Sequence, residues 1–449
     1  MTKGVLLDRL SKQMEHNISG PELQNDVEDM IYLDYNATTP LEDEVVETIS
    51  RTLREAWQNP SSSYATDTSG KSVKQIIDEA RQNVADMIGG NVQDIVFTSG
   101  GTESNNMVFH TMLSHFEFKY NKTALERQTE GHSISVPPDK NIPHFITSNI
   151  EHDSIKIVLQ EYQTLRKAEV TFVPVSKDTG QIVPEDVIAA IKPNTVLVSV
   201  MLANNETGII QPIAEISERL RTIKRGDGET SRIFLHTDAA QALGKIPVSV
   251  QDLRVDYLTI VGHKFYGPRI GALYFPGRAG TAPLYPMFYG GGQERNYRPG
   301  TENTPMIAGL GKAAELVSRN VKVYGDHMEK TRNYLETQLE TTFPDRVKFN
   351  GRYPKVPRLP NTCNVSILGA KLHGFQVLSK LKYVQTSVGA ACHAQNRPSH
   401  ILLASGVDPT AAANALRLSV GRHTTKDDID RAIVDLKQAV QALESDIGQ

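Results

Sequence analysis

The sequence predicts an α/β fold with a mostly parallel β-sheet, followed by a smaller α+β domain at the C-terminal end. Short apolar runs with strand character alternate with amphipathic helical segments over about the first 320 residues, which is the pattern of a parallel sheet covered by helices on both faces. Beyond that point the alternation stops and a long helical segment follows. The chain has 449 residues, too many for one hydrophobic core, so more than one domain is expected.

Three parts of the chain are predicted. Residues 1–30 lack the apolar core of a signal peptide and contain six acidic residues, which argues against a mitochondrial presequence, so they are interpreted as a flexible leader. Residues 31–320 are predicted to form the large domain, with the segment 31–41 a candidate for packing against the small domain. Residues 321–449 are predicted to form that small domain, which carries the loop with Cys392.

The first predicted elements are a β-like segment at Ile31–Pro40 and a helix at Leu41–Trp57. In the next helix, Ser72–Ile88, apolar residues recur at helical spacing, and Gly89 and Gly90 end it. Strand-like runs then follow at Asp94–Thr98, His144–Ile150, Val170–Val175, Thr195–Leu202, Ile233–Thr237 and Val255–Val261. Such runs, separated by helical patterns, predict βαβ units.

The remaining segments complete the prediction. Two polar stretches, Asn121–Asn141 and Lys224–Ser231, are predicted as surface loops. The C-terminal part is predicted to contain a helix near Tyr324–Leu339, a strand at Thr362–Leu368, a helix near Phe375–Leu381, a strand at Ala415–Val420 and a final helix from Thr425. The final helix has apolar residues along one face, which predicts packing on a core: Ile429, Ile433, Leu436, Val440 and Leu443.

Composition excludes several classes of function. The net charge of −4, from 48 Lys+Arg and 52 Asp+Glu, gives no basic excess, so no nucleic-acid partner is predicted. No long uncharged apolar run that could cross a membrane is present, and no clustered metal-ligand spacing is visible. The two cysteines, Cys363 and Cys392, exclude a disulfide framework and fit a reducing compartment, so a cytosolic protein is expected.

Polar residues follow two of the strand-like runs between residues 233 and 268. Asp238 and Gln241 follow the first run, and His263 and Lys264 follow the second. Ligands bind where adjacent strands of an open α/β sheet end. A partly desolvated lysine becomes nucleophilic, and an acid beside it could hold the ring nitrogen of pyridoxal phosphate. The alternative is a surface lysine after a strand and an aspartate in a turn.

The stretch FTSGGTESNN follows a strand and opens a helix. Gly100 and Gly101 allow close backbone approach, and the free amides at the helix start, with the Thr102 hydroxyl, could cradle a phosphate. A plain capped helix is the alternative.

Two further strand ends carry candidate residues. His152 could stack on a planar cofactor and transfer protons, although a hydrogen-bonded loop histidine would have the same pattern. The amide of Asn205 could bond a phenolic or carboxylate oxygen, whereas Asn and Gly at this place also suit a plain turn.

Arg417 and Cys392 are candidates in the C-terminal part. Arg417 has apolar neighbours, so it needs a carboxylate partner, which is either that of an amino acid substrate or that of an internal salt bridge. Cys392 lies in a stretch of small and polar residues, where an exposed thiol near His393 and Arg397 favours the thiolate. An inert thiol is the alternative. Cys363, in a strand-like run, is expected to be packed.

Taken together, these motifs resemble the pyridoxal-phosphate-dependent family of cysteine desulfurases and selenocysteine lyases, which has the fold-type-I architecture of the transferases that use this cofactor. The resemblance extends from about Ile31 to the last helix. The motifs that carry it are YLDYNATTP, FTSGGTESNN, EHDS, LANNETG, HTDAAQALGK, GHKFYGP, GGGQERNYRPGTEN and LRLSVGR. The segments VGHKFYGPRIGALY and SVGAACH are most similar to the selenocysteine lyases of the family, which release selenide and alanine from L-selenocysteine.

The resemblance implies a role for each residue around the cofactor. Lys264 would form the Schiff base with pyridoxal phosphate, and Asp238 would hold its pyridine nitrogen. His152 would stack on the ring, while Gln241 and Asn205 would bond the phenolic oxygen.

The resemblance also implies how the phosphate is held. Thr102 and His263 would bind it, beside Gly101, and Thr301 would contribute from the second subunit of a homodimer. One departure is that many relatives have a serine in the pattern S-x-H-K where this chain has Val261, so that phosphate contact is missing or supplied elsewhere.

For the substrate, the resemblance implies that Arg417 binds the carboxylate, with Asn205 nearby, and that Cys392 receives the selenium. The freed Lys264 would remove the α-proton, and a selenium-acceptor protein is a possible partner. Two alternatives stay open: a cysteine desulfurase supplying sulfur for iron–sulfur cluster or thio-cofactor assembly, and a non-catalytic scaffold with the same fold.

Overall fold

The protein is built around a seven-stranded sheet. The computed structural model describes residues 30–445, with gaps at 63, 65, 69, 130–141, 224–231, 278–279 and 390–396. After a short strand β1 (Ile31–Tyr32), the strands of this sheet are β2 (Ile95–Thr98), β3 (His144–Ser148), β4 (Glu169–Val173), β5 (Thr195–Ser199), β6 (Phe234–Asp238), β7 (Tyr257–Val261) and β8 (Gly271–Tyr274). Their order across the sheet is β2-β8-β7-β6-β5-β3-β4.

The predicted α/β class with a mostly parallel sheet is confirmed. All six strand-like runs of the first part are strands of this sheet, and the pairs from β4 through β3, β5 and β6 to β7 are parallel. The exception is β8, which is antiparallel to both β7 and β2. This four-residue strand was not predicted, because it is too short for a periodic pattern.

Helices fill the connections between these strands. They are α1 (Asp43–Glu55), α2 (Val73–Met87), α3 (Gly101–Thr129), α4 (Asp153–Thr164), α5 (Pro184–Ala189), α6 (Ile213–Thr222) and α7 (Val250–Leu253). A capping box of Ser72 and Gln75 begins α2, and Gly89 follows its end with a positive φ of 65°, a conformation that glycine adopts without strain. The predicted stop at Gly89 is therefore confirmed.

The predicted loop Asn121–Asn141 is wrong in its first part, because α3 continues to Thr129. A polar sequence does not prevent a helix, since Lys, Glu, Arg and Gln are good helix formers. The rest of that loop, and the predicted loop Lys224–Ser231, lie outside the described residues.

The C-terminal part has its own sheet and core. Strand β10 (Thr362–Ile367) pairs antiparallel with β9 (Val347–Phe349) and β12 (Ala415–Ser419), while β11 (Val384–Gln385) pairs parallel with β1. The helices are α8 (Thr304–Thr342), α9 (Gly374–Lys380), α10 (His400–Ala404), α11 (Pro409–Ala413) and α12 (Lys426–Ser445). The predicted apolar face of α12 is buried in this core, which confirms its packing role.

Helix α8 begins at Thr304 and not near Tyr324 as predicted. Gly309 and Gly311 lie in its first half, where a Cβ atom would come within 2.6 Å of Ile49 and 2.5 Å of Ala80. The glycines therefore mark close packing against neighbouring helices, not a loop. The predicted boundary near residue 320 lies inside this continuous helix and stays a prediction.

The parallel strands place their carboxyl ends along one edge of the large sheet. Strands β6 and β7 are adjacent and parallel, so the residues after Asp238 and Val261 emerge side by side. None of the described helices is long and apolar enough to cross a membrane.

Candidate active site

A cavity of about 210 Å³ lies at this edge of the sheet. Its walls come from the segments that follow β2, β3, β5, β6 and β7. Eight residues predicted from the sequence line it: Gly101, Thr102, His152, Asn205, Asp238, Gln241, His263 and Lys264. The predicted meeting of Lys264 and Asp238 in one pocket therefore occurs.

Asp238 is the last residue of β6 and presents a fixed carboxylate. It accepts hydrogen bonds from the backbone N–H of Ala240 at 3.0 Å and from Nδ2 of Asn105 at 2.9 Å. These donors fix the orientation of the carboxylate. An ionised carboxylate in a cavity suits a cationic N–H partner.

Lys264 follows β7 in a single 3₁₀ turn, Gly262–Lys264. Its Nζ donates to the backbone carbonyls of Asn36 and Ala37, both at 2.8 Å. Burial and the nearby charge of Arg417 lower the pKa of Lys264 to about 8, although Asp238 and Asp34 oppose the shift. The amine is therefore partly unprotonated near neutral pH, which makes it a nucleophile and a base; the alternative of a surface lysine is wrong.

Asn36 is a buried residue that forms hydrogen bonds with several side chains around the cavity, and the sequence did not indicate this role. It is 1% exposed, and its carbonyl accepts from both Lys264 and Nε2 of Gln241, the latter at 2.9 Å. Its side-chain oxygen accepts from Nζ of Lys245 at 3.0 Å, while its Nδ2 donates to Oγ1 of Thr362 at 2.9 Å. The first segment of the chain thus links the cavity to the C-terminal sheet.

Gln241 and Asn205 present amides to the cavity. Oε1 of Gln241 accepts from Nζ of Lys245 at 2.8 Å, and its Nε2 donates to the carbonyl of Asn36. Oδ1 of Asn205 is buried and has no hydrogen-bond partner among the described residues. An unpartnered buried amide oxygen is costly, and a bound polar molecule would satisfy it.

The start of α3 lies at the end of the cavity where a phosphate was predicted. The first amides of the helix, at Gly101 and Thr102, have no partner inside the helix. Val261 packs on this turn so closely that a Cβ atom on Gly101 would lie 2.7 Å from its Cγ2. Gly101 is therefore required, and Val261 contributes a methyl group to the contact at this turn.

His263 is a neutral imidazole beside this turn. Burial, together with the charges of Lys264 and Arg269, lowers its pKa to about 4. Its Nδ1 lies 3.1 Å from Oγ1 of Thr38. Thr301, by contrast, lies exposed and outside the cavity lining, and its predicted contribution from a second subunit stays a prediction.

His152 caps the N-terminus of α4 and lines the cavity. Its Nδ1 accepts a hydrogen bond from the backbone N–H of Ser154 at 3.1 Å and lies 2.8 Å from Oγ of the same serine. Both interpretations of this histidine are thus compatible with the structure, because a hydrogen-bonded cap also faces the cavity.

Arg417 lies on β12 and is paired inside the protein. Its Nη2 donates to Oδ1 of Asp34 at 2.7 Å, and its Nη1 donates to the carbonyl of Asn205 at 3.1 Å. Its Nε is buried without a partner among the described residues. The internal salt bridge that the sequence left open is therefore present, and substrate binding by Arg417 stays a prediction.

The two cysteines differ in what the structure describes. Cys363 lies in β10 and is buried, and burial with the charge of Glu336 raises the pKa of its thiol well above the usual range. It is unreactive and packed, as predicted. Cys392 lies outside the described residues.

Comparison with known proteins places this geometry in context. The sequence matches the model of the aminotransferase class-V family over residues 31–142 and 140–432. It is 55% identical to a selenocysteine lyase of Xenopus tropicalis, over 94% of this chain and 95% of that protein, and 54% identical to one of Homo sapiens, over 95% of each. A cysteine desulfurase IscS of Dictyoglomus turgidum is 38% identical, over 92% of this chain and 95% of that protein.

Solved structures agree with the family match. A NifS-like protein superposes with a TM-score of 0.76 at 30% identity, covering 92% of this chain and 99% of its own. A second NifS-like protein, from Rickettsia africae, has a TM-score of 0.72 at 27% identity, over 92% and 99% of the two chains. The predicted fold type is thereby confirmed.

Proposed function

The chain belongs to the class-V aminotransferase family, and on that premise we propose that it is a pyridoxal-phosphate-dependent selenocysteine lyase. It converts L-selenocysteine to L-alanine and selenide. The observation that carries this proposal is the identity of 54–55% to selenocysteine lyases along nearly their whole length, against 38% for the desulfurase IscS.

The residues of the cavity fit the cofactor. A ring nitrogen matches the carboxylate of Asp238, an aldehyde matches the amine of Lys264, and a dianionic phosphate matches the free amides at Gly101 and Thr102. The unpartnered Oδ1 of Asn205 shows that the cavity has unsatisfied hydrogen-bonding capacity. When bound, pyridoxal phosphate supplies an electron-accepting ring that stabilises the negative charge left when the substrate α-carbon loses its proton.

The side chains of this protein perform the remaining tasks. Lys264 takes the α-proton, which is possible near neutral pH because its pKa is about 8. Asp238 keeps the ring nitrogen protonated. Gln241 and Asn205 hold the phenolic side, while His152 covers the ring face.

Cys392 is the acceptor of selenium in this proposal. Its thiolate attacks the selenium of the substrate, and the carbon–selenium bond breaks to leave alanine after protonation. A thiol reductant then cleaves the sulfur–selenium bond, releasing selenide as the thiols form a disulfide, or an acceptor protein takes over the selenium and leaves the Cys392 thiolate. A Cys392→Ala variant should keep the yellow cofactor but lose productive elimination, and unchanged selenide release would contradict the role.

A paired assay tests the substrate. Alanine formed from L-selenocysteine and from L-cysteine is measured under the same conditions, and turnover of L-selenocysteine should be much faster. Comparable rates would instead favour the second candidate, a cysteine desulfurase, which the similarity to IscS supports more weakly. A colourless protein that takes up no pyridoxal phosphate would favour a non-catalytic scaffold.

Borohydride reduction tests the attachment site. Reduction of the yellow protein should fix the cofactor to the peptide that contains Lys264. Lys264→Ala should yield no fixed cofactor.

A cytosolic homodimer completes the proposal. Tyr289 is 89% exposed and Phe288 is half exposed, and both precede the glycine run at 290–292 in the segment that contains Thr301. Large exposed aromatic side chains are typical of interfaces. Sedimentation should show a dimer, and a fully active monomer would remove Thr301 from the site.

A further inference from the structure

We propose that Asn105 is a positioning residue. It connects Asp238 to His152 through hydrogen bonds and holds His152 in the tautomer that carries its proton on Nε2. Asn105 lies in α3, is completely buried, and does not line the cavity. Neither its type nor its place in the sequence singled it out. The inference rests on the proposed function for the roles of Asp238 and His152. The hydrogen-bond geometry itself does not depend on that function.

The side-chain amide of Asn105 has every hydrogen-bonding group in use. Its Nδ2 donates to Oδ2 of Asp238 at 2.9 Å and to Oγ of Ser154 at 2.8 Å. Its Oδ1 accepts from Oγ1 of Thr259 at 2.7 Å. Because an ionised carboxylate only accepts, the NH₂ group must face Asp238, and this fixes the orientation of the amide.

The backbone N–H and the hydroxyl of Ser154 together set the tautomer of His152. The N–H of Ser154 points at Nδ1 of His152 at 3.1 Å, and an amide N–H can only donate. This bond favours the tautomer in which Nδ1 carries its lone pair and the proton of the neutral ring is on Nε2. The hydroxyl of Ser154, 2.8 Å from the same Nδ1, must then donate as well.

Asn105 makes that second donation possible. A hydroxyl has one hydrogen, and Ser154 can use it on His152 only if Asn105 supplies a donor and not an acceptor. The result is a directed chain in which Asn105 donates to Asp238 and to Ser154, and Ser154 donates to His152. His152 therefore offers an N–H from Nε2 to the cavity, and its ring is held by two hydrogen bonds to Nδ1.

Buried neutral side chains on the other side of the Asn105 amide continue the hydrogen-bond chain. Oγ1 of Thr259 also lies 3.1 Å from Nε2 of His236, and Nδ1 of His236 lies 2.8 Å from Oγ of Ser199. Burial lowers the pKa of His236 to about 4, so this histidine is neutral. Since Thr259 donates to Asn105, it accepts from His236, and the whole chain has one consistent direction.

Asn105→Asp tests the direction of the chain. Aspartate has nearly the shape of asparagine, but an oxygen replaces Nδ2. This oxygen accepts a hydrogen bond from the Ser154 hydroxyl when the new carboxyl is ionised, and also when it carries a proton that it donates to Asp238. The Ser154 hydroxyl is then drawn away from His152. The variant should show a shift of His152 away from the Nε2–H tautomer and at least about tenfold weaker binding of pyridoxal phosphate, the size of one lost hydrogen bond to a charged group.

The tautomer is read by nitrogen NMR of protein labelled with ¹⁵N-histidine, with and without pyridoxal phosphate. The His152 signals are assigned by their loss in His152→Gln. Wild type should show an unprotonated Nδ1 and a protonated Nε2. A protonated Nδ1 in wild type, or an unchanged spectrum and cofactor affinity in Asn105→Asp, would overturn the proposal.

Controls separate positioning from folding. Asn414→Asp changes another buried asparagine, whose Nδ2 donates to the carbonyls of Ile367 and Gly369 at 3.0 Å; it should leave the cofactor affinity unchanged. Should Asn105→Asp fail to fold, Ser154→Ala removes the relaying hydroxyl, and Ser154→Thr should restore the cofactor affinity. A Ser154→Thr variant that does not recover the cofactor affinity would contradict the proposed chain of hydrogen bonds.

The two proposals fail in different ways. A protein that takes up no pyridoxal phosphate refutes the proposed function, while the spectrum of the cofactor-free protein still reports the tautomer of His152. A yellow, active protein with a protonated Nδ1 refutes only the role of Asn105.

Discussion

Nη2 of Arg417 lies 2.7 Å from Oδ1 of Asp34, and the hydroxyl of Ser387 donates to the same carboxylate oxygen at 3.0 Å. The arginine that would bind the substrate carboxylate is therefore already engaged with an acid of the chain. An amino acid substrate must therefore share this guanidinium with Asp34. This competition makes the role of Arg417 measurable.

Arg417→Lys should raise the KM for L-selenocysteine about tenfold and lower kcat less, because lysine keeps the charge but loses the planar pair of N–H donors. Steady-state kinetics give both constants. Arg358→Lys is the matched control, since Arg358 makes a two-bond pair with Glu336 and should change only the melting temperature. The same behaviour in Arg417→Lys would assign Arg417 to the internal ion pair alone.

Attachment of pyridoxal phosphate to the cofactor-free protein should depend on pH through Lys264. Only the unprotonated amine reacts, and burial lowers its pKa from 10.5 to about 8. The attachment rate should therefore rise as the pH increases toward about 8 and level off above it. The growth of the visible absorption band measures the rate. A rate that keeps rising up to about pH 10 would indicate a lysine with an ordinary pKa.

Lys245→Met should weaken the dependence of stability on pH. Lys245 is buried against Asn36 and Gln241, and burial with the charge of Lys264 holds its pKa well below 10.5. Between the lowered pKa of the folded chain and the ordinary value, the unfolded chain binds up to one more proton, so the free energy of unfolding rises with pH by up to about 1.4 kcal/mol per pH unit from this group.

That contribution should disappear in Lys245→Met. Urea unfolding of the cofactor-free protein between about pH 7 and pH 9 measures the slope. Lys312→Met, at a half-buried ion pair with Glu315, should keep the slope of wild type. An identical slope in Lys245→Met would mean that the buried amine keeps its proton.

Val261→Ser should tighten the binding of pyridoxal phosphate. The serine would place a hydroxyl beside the turn at Gly101, where a phosphate accepts hydrogen bonds, and one charge-assisted bond corresponds to about tenfold in the dissociation constant. Gly101→Ala should weaken binding, because its Cβ would lie 2.7 Å from Cγ2 of Val261. Titration of the cofactor-free protein, followed by absorbance, gives each constant.

The double variant Gly101→Ala with Val261→Ser provides the control for this pair. Serine is smaller than valine, so the steric cost at position 101 should be partly relieved and the two effects should not add. Strict additivity would show that Val261 and Gly101 do not interact through this contact.

The sequence predicted those features that depend on local pattern. The runs that became β6 and β7 are recognisable because parallel strands buried on both faces are almost continuously apolar. Asp238 and Lys264 could be placed in one pocket because adjacent parallel strands end at the same edge. The elements missed by this reasoning, such as β8 and the first half of α8, are short or are interrupted by glycines that serve close packing.

The sequence did not predict which distant residues form hydrogen bonds with its buried polar side chains. Asn36 touches Thr362, 326 positions along the chain, and Asn105 touches Asp238, 133 positions along. Both asparagines lie in motifs that carry the family resemblance, YLDYNATTP and FTSGGTESNN, but neither motif indicates the distant partner, since asparagine in a turn or a helix has many explanations. The partner of Arg417 was equally open, because a buried arginine requires an acid but does not specify which one.

By itself the sequence determined the fold class, the sheet edge at which the cavity lies and the residue types available there, because these follow from hydrophobic periodicity and from the positions of strand ends. Only the tertiary structure decided the direction of the hydrogen bonds, the pairing of Arg417 with Asp34 and the contact of Nδ1 of His152 with the backbone N–H of Ser154. Those features depend on which donor and which acceptor come together when the chain folds. The orientation of a side-chain donor is fixed only by the acceptor that it contacts.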